Sequence, residues 1–172
     1  MCANFSFAQE LGKFRVGLDA GGFFTSNSGG IWSIFLADVE LKYNFQKNMN
    51  VGLKIEGMNF RSCKCYDSDL LSFSITYDYY FHYKNKSFSP FIGAGLGYYF
   101  GRSHDDHSET VFKHNNPIGF FRIGFEFWKL RTSLTYNLVI KPNAAYINDR
   151  NLSYISFTVG FLIGGGKWKK LE

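Results

Sequence analysis

The chain has 172 residues, one domain's worth, with 20% aromatic residues (20 Phe, 11 Tyr), 18 Gly and only 3 Pro, a mixture that favours strands over helices. Its formal net charge is +5 and its pI about 9.0, but Lys and Arg are scattered except in Lys167-Trp168-Lys169-Lys170, which excludes the clustered basic patch of a nucleic-acid binder. Mean hydropathy is −0.16, and no apolar run reaches the roughly 18 residues of a spanning helix; a β-barrel escapes that exclusion, because only alternate residues of its strands meet lipid.

Residues 1–8 end in Ser6-Phe7-Ala8, small residues three and one positions before Gln9, as at a signal-peptidase site. They read as the remnant of an export signal. A barrel is expected over 9–166, followed by a basic tail, 167–172, whose final Leu171-Glu172 reads as a cloning remnant.

Between these ends, period-two alternation recurs eight times, the mark of strands whose successive side chains point to opposite faces. Strand one, about 13–24, sets Phe14, Val16, Leu18, Ala20 and Phe24 against Arg15, Gly17, Asp19 and Gly21. Strand two, about 32–45, sets Phe35, Ala37, Val39, Leu41, Tyr43 and Phe45 against Asp38, Glu40, Lys42 and Asn44. Strand three, about 51–61, sets Val51, Leu53, Ile55 and Gly57 against Lys54 and Glu56. Strand four, about 70–83, sets Leu71, Phe73, Ile75, Tyr77 and Phe81 against Ser72, Ser74, Thr76, Asp78, Tyr80 and His82. Strand five, about 88–101, sets Pro90, Ile92, Ala94, Leu96, Tyr98 and Phe100 against Gly93, Gly95 and Gly97. Strand six, about 118–128, sets Phe121, Ile123, Phe125 and Phe127 against Arg122, Gly124 and Glu126. Strand seven, about 131–140, sets Leu134, Tyr136, Leu138 and Ile140 against Arg131, Ser133, Thr135 and Asn137. Strand eight, about 152–163, sets Ile155, Phe157, Val159, Phe161 and Ile163 against Ser156, Thr158 and Gly160.

The connections alternate between short (about 46–50, 84–87 and 129–130) and long (about 25–31, 62–69, 102–117 and 141–151). Short periplasmic turns and longer extracellular loops have this rhythm, and it puts both termini on the periplasmic side. Aromatics gather near the strand ends, with Phe14, Phe45, Phe81, Tyr83 and Phe127 at one rim and Phe24, Trp32, Tyr98 and Phe100 at the other, as in interfacial belts.

None of the apolar-face residues is charged, whereas the opposite faces carry Arg15, Asp19, Asp38, Glu40, Lys42, Lys54, Glu56, Asp78, Arg122, Glu126 and Arg131. An eight-strand barrel has room inside only for side chains to fill it or for one small ligand. The crowded Phe and Tyr face is therefore expected outside against lipid, with the charges pairing in a filled lumen. A hairpin turning near Asn48 would face Lys42 with Lys54 and Glu40 with Glu56, leaving Glu40–Lys54 and Lys42–Glu56 as diagonal pairs. The turn at Trp128-Lys129 sets Glu126 opposite Arg131, and the glycines of strand five are expected to make room for Tyr80 or His82.

The expected third loop contains His104-Asp105-Asp106-His107-Ser108-Glu109, with His114 nearby. His104, Asp105, Asp106, His107, Glu109 and His114 form a candidate binding surface. Metals accept such ligands, but a solvated polar loop is the preferred reading and no metal or other cofactor is expected. Ser103-His104-Asp105 has the residue types of a catalytic relay, yet adjacent side chains diverge, and His82 with Asp78 reads as part of the lumen; no catalysis is expected. Cys63 and Cys65 lack the second pair a zinc site needs, and Cys2 stands alone; free or mutually oxidised thiols are expected.

The segment Phe88–Phe100, FSPFIGAGLGYYF, looks like a strand of the outer-membrane β-barrel domain family. Over about 13–163 the chain resembles the small eight-stranded barrels of OmpA and OmpX type. The resemblance implies a monomeric barrel in a Gram-negative outer membrane, in contact with the lipid bilayer and the outer-membrane assembly machinery. Such barrels end in a terminal aromatic; here Phe157, Phe161 and Ile163 supply the last strand, but Gly164-Gly165-Gly166-Lys167-Trp168 follows. The expected function is structural, or interaction with an extracellular ligand through four loops. A narrow channel for small solutes and a soluble, lipocalin-like lipid carrier are the alternatives.

Overall fold

In the computed structural model, which describes residues 12–25, 31–46, 48–62, 66–81, 88–105, 108–139 and 153–164, the alternating segments form eight antiparallel strands. They are β1 (Phe14–Thr25), β2 (Ile31–Gln46), β3 (Met49–Ser62), β4 (Tyr66–Tyr80), β5 (Phe88–Asp105), β6 (Ser108–Phe127), β7 (Leu130–Val139) and β8 (Tyr154–Gly164). Each strand pairs with its sequence neighbours, and β1 closes on β8 from Arg15↔Gly164 to Thr25↔Tyr154. Closure leaves no unpaired sheet edge in the barrel wall, the one arrangement by which strands can cross hydrocarbon.

The two faces separate as the alternation requires. Leu96 is 72% exposed and Phe121 64%, while Glu40, Lys42 and Asp78 are 0% exposed. Phe73 and Phe157 lie with Phe121 on the outside, and Arg122 is buried with Glu40 inside. A water-soluble carrier would have the opposite orientation, so the lipocalin-like alternative does not fit the molecule.

Two expectations about register and length are corrected. The β2–β3 pairing shifts between Asn44 and Gln46, so Glu40 faces Lys54 and Asp38 faces Glu56, and Lys42 faces Gly52. Relative to the expected hairpin the pairing is offset by two residues, which keeps every side chain on its face. It also sets Glu40 directly opposite Lys54 instead of opposing Lys42 to Lys54, where like charges would repel. Second, most of 102–117 is paired strand and not loop. β5 and β6 stay paired from Phe88↔Phe127 to Asp105↔Ser108, and β3 and β4 pair out to Ser62↔Tyr66. Alternation fades there because neither face of a strand beyond the apolar band has to be greasy, while the backbone ladder continues regardless.

The short turn between β6 and β7 puts Trp128 in the left-handed region at φ 57°. Leu162 N–H donates to Lys129 O at 2.8 Å, tying β8 to that turn. The segments 1–11, 26–30, 63–65, 82–87, 106–107, 140–152 and 165–172 and residue 47, and with them Cys2, Cys63, Cys65, His82 and the basic tail, lie outside the described residues.

Candidate functional site

All eleven charged residues of the inward faces are buried. Around Glu40, Arg122 donates from Nη2 at 2.6 Å, Arg131 from Nη1 at 2.6 Å and Thr76 from Oγ1 at 2.5 Å, with Lys42 Nζ at 3.4 Å. Asp78 takes Arg122 Nε at 2.7 Å and Arg131 Nη2 at 3.3 Å, and is hydrogen-bonded by Lys42. Glu126 binds Arg15 at 2.6 Å and accepts from the Tyr80 hydroxyl at 2.5 Å. Glu56 is held by Lys54 and by the Tyr154 hydroxyl at 3.1 Å. The diagonal pair expected between Lys42 and Glu56 is thus replaced by Lys42–Asp78 and Lys54–Glu56. Arg131, though directly opposite Glu126 in the ladder, reaches Glu40 and Asp78 instead.

Asp19 and Asp38 face each other across β1 and β2 and are the least satisfied members. Asp38 lies 3.4 Å from Lys54, Asp19 lies 3.7 Å from Arg131, and each leaves Oδ1 without a hydrogen bond. Arg15 Nη1 and Arg131 Nε also lack a hydrogen bond, while Glu40 and Asp78 each take several charge-assisted bonds and Glu56 and Glu126 each take one cation and one tyrosine hydroxyl, the kind of engagement buried carboxylates need.

Two inward phenylalanines complete the filling. Phe91 faces Gly124 and Phe120 faces Gly95 across the β5–β6 ladder. A Cβ at either glycine would collide with the facing ring, so each ring occupies the volume its partner glycine vacates. This corrects the expectation for the strand-five glycines. Gly95 makes room for Phe120, and Gly93 for Asp78 and Arg122. Tyr80 packs instead beside Phe91, with ring centroids 5.4 Å apart. Arg131 lies 4.6 Å and Lys42 5.8 Å from the Phe91 ring, and Lys54 5.4 Å and Arg122 5.7 Å from that of Phe120, so the rings also serve the cations through their π faces.

Toward the outer end, Phe23, Leu36, Met58, Ile118 and Tyr154 form a buried apolar cluster, with Leu70 and Val139 packed against it. These residues share the inward parity of the charged ones: Phe23 follows Asp19 by four, Leu36 precedes Asp38 by two, Met58 follows Glu56 by two. The sequence reading stopped each inward face at its last polar residue and missed this apolar plug. The signal was the unbroken parity, carrying large apolar residues at the outer end of strand after strand.

Of the candidate binding residues, His104 and Asp105 belong to β5 and Glu109 and His114 to β6, with His104 opposite Val111 and His114 opposite Gly101. Asp106 and His107 lie outside the described residues. These positions therefore sit on a paired ribbon above the barrel. Among the described residues, β6 meets β7 only from Ile118 inward and β3 meets β2 only from Met58 inward. Among the described residues, the outer parts of β3, β4, β5 and β6 thus form a four-stranded sheet raised above the rim.

No protein-family model and no curated protein sequence matches the chain. Solved structures do match. Neisserial surface protein A shares 17% identity over 88% of this chain and 98% of its own, with a TM-score of 0.71. Ail, the attachment invasion locus protein of Yersinia pestis, shares 12% over 90% and 100%, with a TM-score of 0.52. The outer membrane enzyme PagL shares 16% over 87% and 98%, with a TM-score of 0.52. At these identities the likeness is one of fold, and the fold is that of the small eight-stranded transmembrane barrels of the outer membrane.

Proposed function

We propose that the protein is an integral outer-membrane barrel, closed through its lumen, that presents the raised β3–β6 sheet to partners outside the cell. The observation that carries the membrane part is the inversion of the faces: a continuous apolar exterior around a sealed ionic interior. That distribution is stable only with hydrocarbon as the outer solvent. In this reading both termini are periplasmic and the β3–β6 sheet is extracellular.

The interaction role is supported by the sheet itself and by similar barrels of that kind. Ail is named for attachment and has a structure with the heparin analogue sucrose octasulfate. PagL shows that the fold also hosts an enzyme. In this chain, however, Glu40, Glu56, Asp78 and Glu126 are engaged by cations or hydroxyls and closed to solvent, an arrangement that fixes a plug and offers no substrate access. The filled cross-section likewise disfavours the narrow-channel alternative.

The test is whole-cell adhesion. Cells displaying the protein bind a host-cell or glycan surface, and cells displaying a variant with Arg102–Lys113 replaced by Asn-Gly do not. Equal binding by both would remove the role of the raised sheet.

A further inference from the structure

The charges of the lumen do not balance. Among the described residues, the interior holds five cations and six carboxylates. Arg15 is spent on Glu126, Lys54 on Glu56, and Lys42, Arg122 and Arg131 on Glu40 and Asp78. Five cations thereby hold four carboxylates, so the interior can neutralise one further negative charge. Asp19 and Asp38 both remain to claim it.

The two are not equivalent. One row of the ladder runs Arg131, Gly160, Asp19, Asp38 and Glu56, each facing the next across neighbouring strands. Asp19 therefore has a cation on one side, Arg131 at 3.7 Å, beyond Gly160. Asp38 has a carboxylate on both sides. The lysine beside it, Lys54 at 3.4 Å, is hydrogen-bonded to Glu56, and Glu56 also receives the Tyr154 hydroxyl of β8. Beyond Glu56 the row continues to Ser72 of β4 and Tyr99 of β5, which bring hydroxyls and no cation. Along β2 the inward neighbours of Asp38 are Leu36 of the apolar plug and Glu40, a third carboxylate. The Asp38 side chain is 2% exposed, and its Oδ1 has no hydrogen-bond partner.

We propose that Asp38 is a neutral carboxylic acid in the folded barrel at neutral pH, and that its proton makes the barrel tighten as the surroundings acidify. Like charges on directly opposed residues repel, and a buried carboxylate flanked by others takes up a proton where no cation is free. One proton at Asp38 brings the interior to neutrality. Among the described residues no three carboxylate, His or Cys groups are placed to hold a metal ion, so a proton supplies the missing charge. The folded barrel then keeps a proton that the unfolded chain releases. Its stability therefore falls as the pH rises from about 4, where an unfolded aspartate ionises, until Asp38 itself ionises beneath the plug.

Infrared spectra of wild type and Asp38→Asn, taken in an alkyl maltoside that has no carbonyl of its own, test the proton directly. Folded wild type at neutral pH is expected to show the carbonyl stretch of a protonated carboxyl above the amide I band, shifted in heavy water. D38N is expected to lack it. Asparagine has the shape of the neutral acid and needs no proton, so urea titration reads the same claim as stability. The D38N midpoint should match that of wild type near pH 4 and exceed it by a margin that grows toward neutral pH. An ionised Asp38 held by Lys54 would instead make D38N the less stable of the two at neutral pH. That result, an acid band that survives in D38N, or no acid band in folded wild type would overturn the proposal. Should D38N fail to fold, the wild-type spectrum decides by itself.

Discussion

Glu40 stands where Arg122, Arg131 and Lys42 converge, and its truncation would leave three buried cations sharing mainly the Asp78 carboxylate. Glu40→Ala is expected to cost about 3–5 kcal/mol, read as a lower urea midpoint for loss of the compact, heat-modifiable band. A loss below about 1 kcal/mol would mean that the network is solvated rather than sealed. Gly95→Leu is expected to destabilise by about 1–3 kcal/mol, because the added side chain competes with the Phe120 ring for one volume; the same urea titration checks it, with Gly57→Leu, where a Cβ would meet only the Ala37 carbonyl oxygen at 3.9 Å, as the neutral control. Parity in the sequence was enough to put every one of the eleven charges on a single face. It did not pair them, because partners depend on long side chains reaching across the lumen: Arg122 and Glu40 are 82 positions apart. Nor did it flag Phe91 and Phe120, inward aromatics whose place is fixed only by the glycines opposite them.

At the scale of strands and hairpins, the eight alternating segments were legible because the apolar exterior demands period two along each one. What lay beyond the apolar band was not. The segment 102–117 is polar and reads as a loop, yet most of it is ladder. The β2–β3 register was likewise hidden, since an irregularity of the backbone near Asn44 leaves the side-chain pattern intact. Replacing Arg102–Lys113 by Asn-Gly leaves Gly101 and His114, already register partners, flanking a two-residue turn of the kind hairpins favour. This variant is expected to keep the heat-dependent gel mobility and the unfolding midpoint of wild type. A collapsed midpoint would mean that the raised sheet is part of what holds the barrel together.

Across the whole molecule, an apolar plug of Phe23, Leu36, Met58, Ile118 and Tyr154 sits over an ionic network, and the two together close the lumen by different physics. The plug resists wetting, and the network resists passage because each ion is already coordinated. Planar-bilayer recording of the wild-type protein is therefore expected to show no resolved conductance steps, where an open conduit would give stable ones.

The orientation of the faces underlies all of this, and Phe120 and Phe121 report on it as neighbours pointing opposite ways. With Trp32, Trp128 and Trp168 replaced by Phe, single tryptophans are introduced as F121W and F120W, and their fluorescence is measured in bilayers of brominated lipid. Strong quenching at 121 and little at 120 is the predicted result. Equal quenching at the two positions, or the reverse order, would contradict an exterior that faces hydrocarbon around a sealed ionic core.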